Sequence, residues 1–408
     1  MSDSSPVRLK RTLNLPMITF YGLGNILGAG IYVLVGKVAG EAGYFVPLSF
    51  ILAAFVAAIS AFTYAELSAR HPVSAGVAAY IYEGFHWRSL SVLVGLLIML
   101  AGIVSAAAIA HGFAGYLRVF IDIPEWLIVL LAILALGGLA AWGIKHSVLV
   151  ASLFTLLEIF GLLVIIFVGI EHLPELPQDI RVTHPEPVVF SLAGVLSGAF
   201  LAFYAYLGFE DMVNVSEEVK NPTLNMPRAI LLSVIISTLL YSAVVLVAVM
   251  LVPPMQLAAS EAPLADVYSA ATGSPPVLIT VIGLFAVLNG ALIQIIMASR
   301  LLYGMAAKRW LPSFLAYVHP RTHTPLVTTA IATGLVLLFA LVLPLVTLAQ
   351  LTSALVLSVF CLVNLALLRI KRSHPRPEGV HVYSIWVPRL GFVSALAFLL
   401  IELFGQLG

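Results

Sequence analysis

The sequence predicts an all-α polytopic membrane protein of about eleven transmembrane helices, the first and sixth of them broken near mid-membrane. Three observations carry this. Of 408 residues, 61% are apolar and only 10% charged, against about 25% charged in an ordinary soluble chain. The mean hydropathy is +1.09, more apolar surface than one or two globular cores can bury. The apolar residues fall into runs of about 20, the length that crosses a hydrocarbon core of about 30 Å. Together these exclude a cytosolic enzyme, a nucleic-acid binder and a disordered chain. The net charge of +1 gives no field to steer a polyanionic partner. The single cysteine, Cys361, has no internal disulfide partner.

In chain order, residues 1–15 read as a polar cytoplasmic tail with Arg8, Lys10 and Arg11. The run that follows is too long for a cleavable signal peptide and reads as the first span. Spans are expected at about 17–40, 45–69, 89–117, 124–142, 147–171, 190–214, 228–252, 276–304, 325–344, 346–368 and 386–405. The stretch 325–368 is almost continuous, and Pro344 divides it. The loop 172–189 carries Pro174, Pro177, Pro185 and Pro187, and the loop 253–275 carries Glu261 and Asp266. Neither is long enough for a soluble catalytic domain. The organisation is a ten-helix core over 16–370, in halves of about 16–171 and 190–370, then residues 371–408 as a cytoplasmic loop plus an eleventh helix.

A cytoplasmic N-terminus places all but three of the 20 Lys and Arg residues on the inner side, the exceptions being Lys37, Arg118 and Arg181. The opposite orientation inverts the count. An odd number of spans puts the C-terminus outside.

Span 1 reads Gly22-Leu-Gly24-Asn25-Ile26-Leu27-Gly28-Ala29-Gly30-Ile31, four glycines in nine residues. Each is about 1 kcal/mol worse than alanine in a helix. Close helix packing through Gly24-xxx-Gly28 is one reading. A dinucleotide-binding fingerprint fails, because it needs a preceding strand and a glycine at 27. The third reading is a helix opened around Gly28-Ala29-Gly30, tolerated at that depth only where it lines a cavity. Its freed N–H groups then face an anion such as a carboxylate. Span 6 favours this reading. In Phe203-Tyr204-Ala205-Tyr206-Leu207-Gly208-Phe209-Glu210-Asp211 a glycine stands beside two acids inside an apolar span. An acid at bilayer depth costs at least about 2.5 kcal/mol on insertion scales. Interruptions five spans apart are the sign of two five-helix inverted repeats around a midplane site.

Few ionisable residues lie inside spans. Glu158 falls near the middle of span 5, either as a neutral acid hydrogen-bonded to a neighbouring helix or as an ion-coupling site. Glu210 and Asp211 read as caps for the second half of span 6 or, for Glu210, as a gate. His111 is a packing residue or a proton relay. Glu66 and Arg70, at i, i+4, are an ordinary helix pair or a cytoplasmic gate. Lys37 reads as a snorkelling interfacial residue. Asn25 and Asn289 are placed to hydrogen-bond between helices. His319 and His323 have no ligand partners at metal-binding spacing, so no metal site or cofactor is expected.

At these residues the chain resembles the amino acid–polyamine–organocation transporter superfamily. The shared motifs run over nearly the whole chain: Gly28-Ala29-Gly30-Ile31; Tyr64-Ala-Glu66-Leu-Ser-Ala-Arg70-His-Pro72 with Gly76 and Tyr80-Ile-Tyr82-Glu83; Ala205-Tyr206-Leu207-Gly208-Phe209-Glu210; Glu217-Glu218-Val-Lys220-Asn221-Pro222 with Pro227-Arg228-Ala229; and Arg300-Leu-Leu-Tyr303 with Pro312 and His319-Pro320-Arg321. The resemblance implies a leucine-transporter-type fold with a 5+5 inverted repeat and alternating access to one amino-acid site. It implies that helix 1, opened at Gly28, turns the N–H groups of Ala29 and Gly30 to the substrate carboxylate. Carbonyls of Ile26, Tyr204 and Leu207 would receive the ammonium, the Tyr204 ring would cap the substrate, and Glu210 would gate. Two departures stand out. Most members have twelve spans, which puts in doubt any dimer contact made by the last. Proton-coupled relatives carry a lysine on helix 5, where this chain has Glu158.

The expected function is therefore secondary active transport of amino acids, ion-coupled, with a proton favoured over sodium. An exchanger or a non-transporting amino-acid sensor on the same fold are the alternatives. The expected partners are an amino-acid substrate, a coupling proton or sodium and the lipid bilayer, with no nucleic acid, and the expected location is a bacterial inner membrane. No cluster of nucleophile, base and metal ligand marks an enzyme, and few spans show the polar stripe of a channel.

Overall fold

The computed structural model describes residue 11 and residues 13–73, 76–142, 147–171, 190–307, 309–319 and 324–405. The tail up to Lys10, the loop 172–189 with Arg181, and Lys145, Arg321 and His323 lie outside the described residues.

Among the described residues the chain is helical, apart from an isolated parallel bridge between Leu13 and Val219. Eight helical runs are long and apolar enough to cross a membrane, and the first, Leu15–Arg70, takes in the expected spans 1 and 2. Glu125–Ala141 and Leu326–Val342 are shorter apolar helices over the expected spans 4 and 9. A 17-residue helix is about 26 Å long, close to the thinner biological bilayers.

Local chemistry explains the ends. Asn14 caps span 1, its Oδ1 accepting from Met17 N at 3.1 Å, with proline in the first turn. Span 1 runs as Leu15–Leu27 and Ala29–Ala42. Span 2 (Val46–Arg70) ends just before His71-Pro72. A further helix, Gly76–Phe85, lies between spans 2 and 3. Spans 3 to 5 are Arg88–Arg118, Glu125–Trp142 and Ser147–Ile170. Span 6 begins as Leu192–Phe203. Span 7 is Pro222–Leu251, which starts six residues before the expected 228 and carries Pro227 inside it. Span 8 is Val277–Ala307 and span 9 Leu326–Val342. Pro344 separates span 9 from span 10 (Leu345–Ser373), as its missing N–H and fixed φ require. Span 11 is Trp386–Gly405. Helices extend past the apolar runs because a helix does not stop at the edge of the hydrocarbon. The core's expected end at 370 thus falls inside span 10, whose last turn holds Lys371 and Arg372, favourable at a helix C-terminus.

The packing follows a fixed order. Span 2 lies along span 7, span 3 along span 8, and span 10 along spans 3 and 11. Hydroxyls and small residues close these contacts. Ser299 of span 8 pairs with Thr328 and Thr329 of span 9 at 3.0 and 2.8 Å. Thr63 of span 2 donates to Asn364 Oδ1 of span 10 at 2.6 Å.

At the end shared by Arg70 and Ser373, Glu66 is fully buried and carries two cations. Arg70 donates to Oε1 through Nε at 2.9 Å and Nη2 at 2.7 Å. Lys371 Nζ lies 2.8 Å from Oε2, which also accepts from Tyr383 N at 3.0 Å. The i, i+4 pair is thus part of a cluster that ties span 2 to span 10 and to the linker before span 11. At the opposite end, Lys37 is half-buried. It donates to the Ala258 carbonyl at 2.7 Å, on a short helix, Pro254–Ala259, that folds against span 1.

Candidate functional site

The interruption in span 1 sits at Gly28, with φ −44° and ψ −129°. No side chain caps the helix that starts at Ala29, so the first N–H groups of that half-helix have no intrahelical partner. In span 6 a single 3-10 turn, Tyr204–Tyr206, gives way to extended backbone at Leu207 (ψ 147°) and to Gly208 at φ 122°. Only glycine adopts that φ without strain. The chain resumes as a ten-residue 3-10 helix, Phe209–Glu218, unusually long for that geometry, which often marks a hinge.

The two interruptions lie against each other. A Cβ on Gly30 would collide with Ala205, and one on Gly208 would lie 2.5 Å from the Asn25 carbonyl oxygen. Their far ends are joined too: Leu13 N donates to the Glu218 carbonyl at 3.0 Å and Lys220 N to the Leu13 carbonyl at 2.8 Å.

A cavity of about 400 Å³, counting its open mouth, lies beside the interruptions. Ile26, Gly28, Gly30, Tyr204 and Leu207 line it, with Asn25 of span 1, Ser105 and Ile109 of span 3, and Gly290, Ile293 and Gln294 of span 8. Five of the six residues expected at the substrate site thus meet at one cavity. The side chain of Ala29, the sixth, lies outside the described residues. The Tyr204 hydroxyl lies 2.9 Å from Ser105 Oγ and donates to the Ser105 carbonyl at 3.2 Å, which fixes the ring across the cavity. The Tyr204 carbonyl accepts from Leu207 N at 3.2 Å, leaving its second lone pair.

A second cavity, of about 280 Å³, shares Ser105, Leu207 and Gln294 with the first and reaches Glu210, Asp211, Met297 and Thr352. Glu210 Oε2 accepts from Gly208 N at 2.9 Å, so this acid turns back onto the interruption as a cap does. Asp211 Oδ2 accepts from Gln294 Nε2 at 3.3 Å.

Glu158 is not among the cavity residues. It is fully buried between spans. Its Oε1 accepts from Asn289 Nδ2 at 3.2 Å, and its backbone carbonyl accepts from the Tyr32 hydroxyl at 2.7 Å. Oε2 has no hydrogen-bond partner among the described residues. Asn289 is followed by Gly290, which lines the first cavity. His111 is hydrogen-bonded at both ring nitrogens: Nδ1 pairs with Glu125 Oε1, and Nε2 lies 2.9 Å from the Ala340 carbonyl.

Ser105 and Gln294 were not singled out by the sequence. Gln294 carries a usable signal, as an isolated amide in the apolar stretch Leu292-Ile-Gln294-Ile-Ile296. Ser105 has none, being a small residue in an alanine-rich helix.

A family model described as amino acid permease matches residues 13–407. Among curated proteins, a methylthioribose transporter of Bacillus subtilis is 30% identical over 97% of this chain and 88% of its own. A branched-chain amino acid permease of the same organism is 28% identical over 92% of this chain and 84% of its own. Human cationic amino acid transporter 4 is 31% identical over 90% of this chain, which spans 61% of that longer protein. Among solved structures, a Na+-coupled sialic acid symporter in a substrate-bound outward-open state superposes with a TM-score of 0.63 at 14% identity, over 98% of this chain and 90% of that one. That likeness concerns the fold.

Proposed function

This chain belongs to the amino acid permease family, as an integral membrane transporter and not an enzyme, and on that premise we propose that it carries amino acids by alternating access, coupled to protons rather than sodium. The observation that carries this is a cavity lined by both helix interruptions. One side offers uncapped N–H groups from Ala29 and Gly30, suited to a carboxylate. The other offers carbonyls of Ile26, Tyr204 and Leu207, suited to an ammonium. That pair of poles matches the backbone of an amino acid, and leaves the side chain to Ile109, Ile293, Ser105 and Gln294. The pairings of span 2 with span 7 and span 3 with span 8 support two five-helix halves around the site. The excess of Lys and Arg at one set of helix ends supports a cytoplasmic N-terminus and an exterior C-terminus.

Glu158 is the proposed coupling residue. The group facing its Oε1 is an N–H donor, and its Oε2 is unpartnered. A buried charge in that state is costly, so the carboxyl is suited to bind and release a proton. Glu210, which lines the second cavity and accepts from Gly208 N at the interruption, is the proposed gate. The relatives' names cover a thioribose, branched-chain and cationic amino acids, so the substrate within the class rests on experiment. The test is a thermal-shift screen of the twenty amino acids on purified protein, then uptake into proteoliposomes with pH and sodium gradients imposed separately. Stabilisation by an amino acid and uptake driven by the pH gradient are expected. Uptake driven only by sodium would reject proton coupling, counterflow without response to either gradient would identify an exchanger, and binding without uptake would identify a sensor.

A further inference from the structure

Tyr241, in the middle of span 7, is completely buried, and its hydroxyl touches both interruptions at once. The oxygen lies 2.7 Å from the carbonyl of Ile26, two residues before the interruption in span 1. It lies 3.0 Å from the carbonyl of Ala205, inside the 3-10 turn of span 6. A phenol has one proton to donate. Both acceptors are backbone carbonyls freed by irregular geometry, so a single O–H is shared between the two discontinuous helices. The ring is seated by Phe50 of span 2 at 6.0 Å between centroids and by Tyr206 of span 6 at 5.2 Å. These ring contacts restrict its rotation and hold the hydroxyl against both carbonyls.

We infer that Tyr241 is a positioning residue that pins the two interruptions in register, so that Ile26 and its neighbours present their polar groups to the cavity as one preformed surface. It does not line that cavity. It acts through backbone: Ile26 is itself a cavity residue, and Ala205 adjoins Tyr204, which is another. The tight approach of Gly30 to the Cα and methyl of Ala205 makes this register matter, because the contact leaves no room for a Cβ at Gly30. Where two irregular segments meet at a site, fixed donors lower the ordering cost of binding. The contribution to ligand affinity rests on the transport reading above. The pinning of backbone does not.

Tyr241→Phe removes the proton and keeps the ring, and Tyr206→Phe removes a neighbouring hydroxyl that bridges no interruption. Hydrogen–deuterium exchange on the purified full-length protein, without ligand, is the deciding measurement. In Tyr241→Phe, amides in residues 24–30 and in 203–209 are expected to exchange roughly fivefold faster, as for loss of one buried hydrogen bond. Span 7 itself and Tyr206→Phe should match the wild type. Unchanged exchange in either segment, or acceleration spread over all spans, overturns the inference. With whichever amino acid stabilises the wild-type protein, Tyr241→Phe should bind about five- to tenfold more weakly, and equal affinity would overturn its effect on the site. If no amino acid stabilises the wild type, the transport reading fails and the exchange result still judges the pin.

Discussion

Asn289 donates a 3.2 Å hydrogen bond from span 8 to Oε1 of Glu158 on span 5, and the other carboxyl oxygen has no partner. Both residues are buried, so the bond joins two helices away from the surface. An ionised, half-satisfied carboxylate there is costly, and a proton relieves the cost. Glu158→Gln keeps an acceptor oxygen for Asn289 and removes the titration. It should abolish uptake driven by a pH gradient into proteoliposomes and leave counterflow measurable. Gradient-driven uptake at the wild-type rate would reject the coupling role.

Gly208 and Gly334 make a contrasting pair. Gly208 has φ 122°, and an added Cβ would press on the Asn25 carbonyl. Gly208→Ala should destabilise the protein by about 1–3 kcal/mol. Gly334, in helical span 9, has open space where a Cβ would be, and Gly334→Ala should be neutral or stabilising by up to about 1 kcal/mol. Thermal unfolding in detergent measures both, and a reversed order would contradict the account of span 6.

The cluster around Glu66 holds one acid between two bases, all nearly inaccessible to solvent. Glu66→Ala leaves Arg70 and Lys371 facing each other without a counter-charge and should cost about 3–5 kcal/mol. Lys371→Met keeps the Arg70–Glu66 pair and should cost clearly less. The two substitutions should be non-additive when combined, because they share one network. Unfolding midpoints of the two single variants and the double variant decide this, and simple additivity would argue against a cluster.

The Tyr204 hydroxyl is held by Ser105, through its Oγ at 2.9 Å and its carbonyl at 3.2 Å. Tyr204→Phe frees the ring that lies across the cavity. Binding of the stabilising amino acid should weaken about two- to tenfold, the worth of one hydrogen bond of about 0.5–1.5 kcal/mol. Ser105→Ala should reproduce part of that loss, and the double variant should lose little more than Tyr204→Phe alone. Isothermal titration gives the affinities. A full additive loss would mean that Ser105 meets the ligand by itself.

Much of the fold was legible because the signals are local. Apolar runs sized to a bilayer, the proline at 344 and the small polar breaks depend on neighbours in sequence, and helices overlap the expected segments. The interruptions in spans 1 and 6 lie in the stretches that glycine spacing marked, because the cost of glycine and its access to positive φ belong to the residue itself. Helix ends were less legible, as at Pro222 and Ser373, because hydropathy registers the hydrocarbon boundary and a helix continues beyond it.

By itself, then, the sequence determined that this is a helical membrane protein and which apolar stretches form its helices. Tertiary structure alone decided the partners. Tyr204 meets a serine 99 residues away, Glu158 an asparagine 131 away, and Tyr241 a carbonyl 215 away. It also set Lys37 on the Ala258 carbonyl and gave Glu66 a second cation in Lys371. The reason is physical. In an apolar span most buried polar groups find a partner, but which one they find depends on how helices far apart in the chain are brought side by side. No local pattern contains that arrangement.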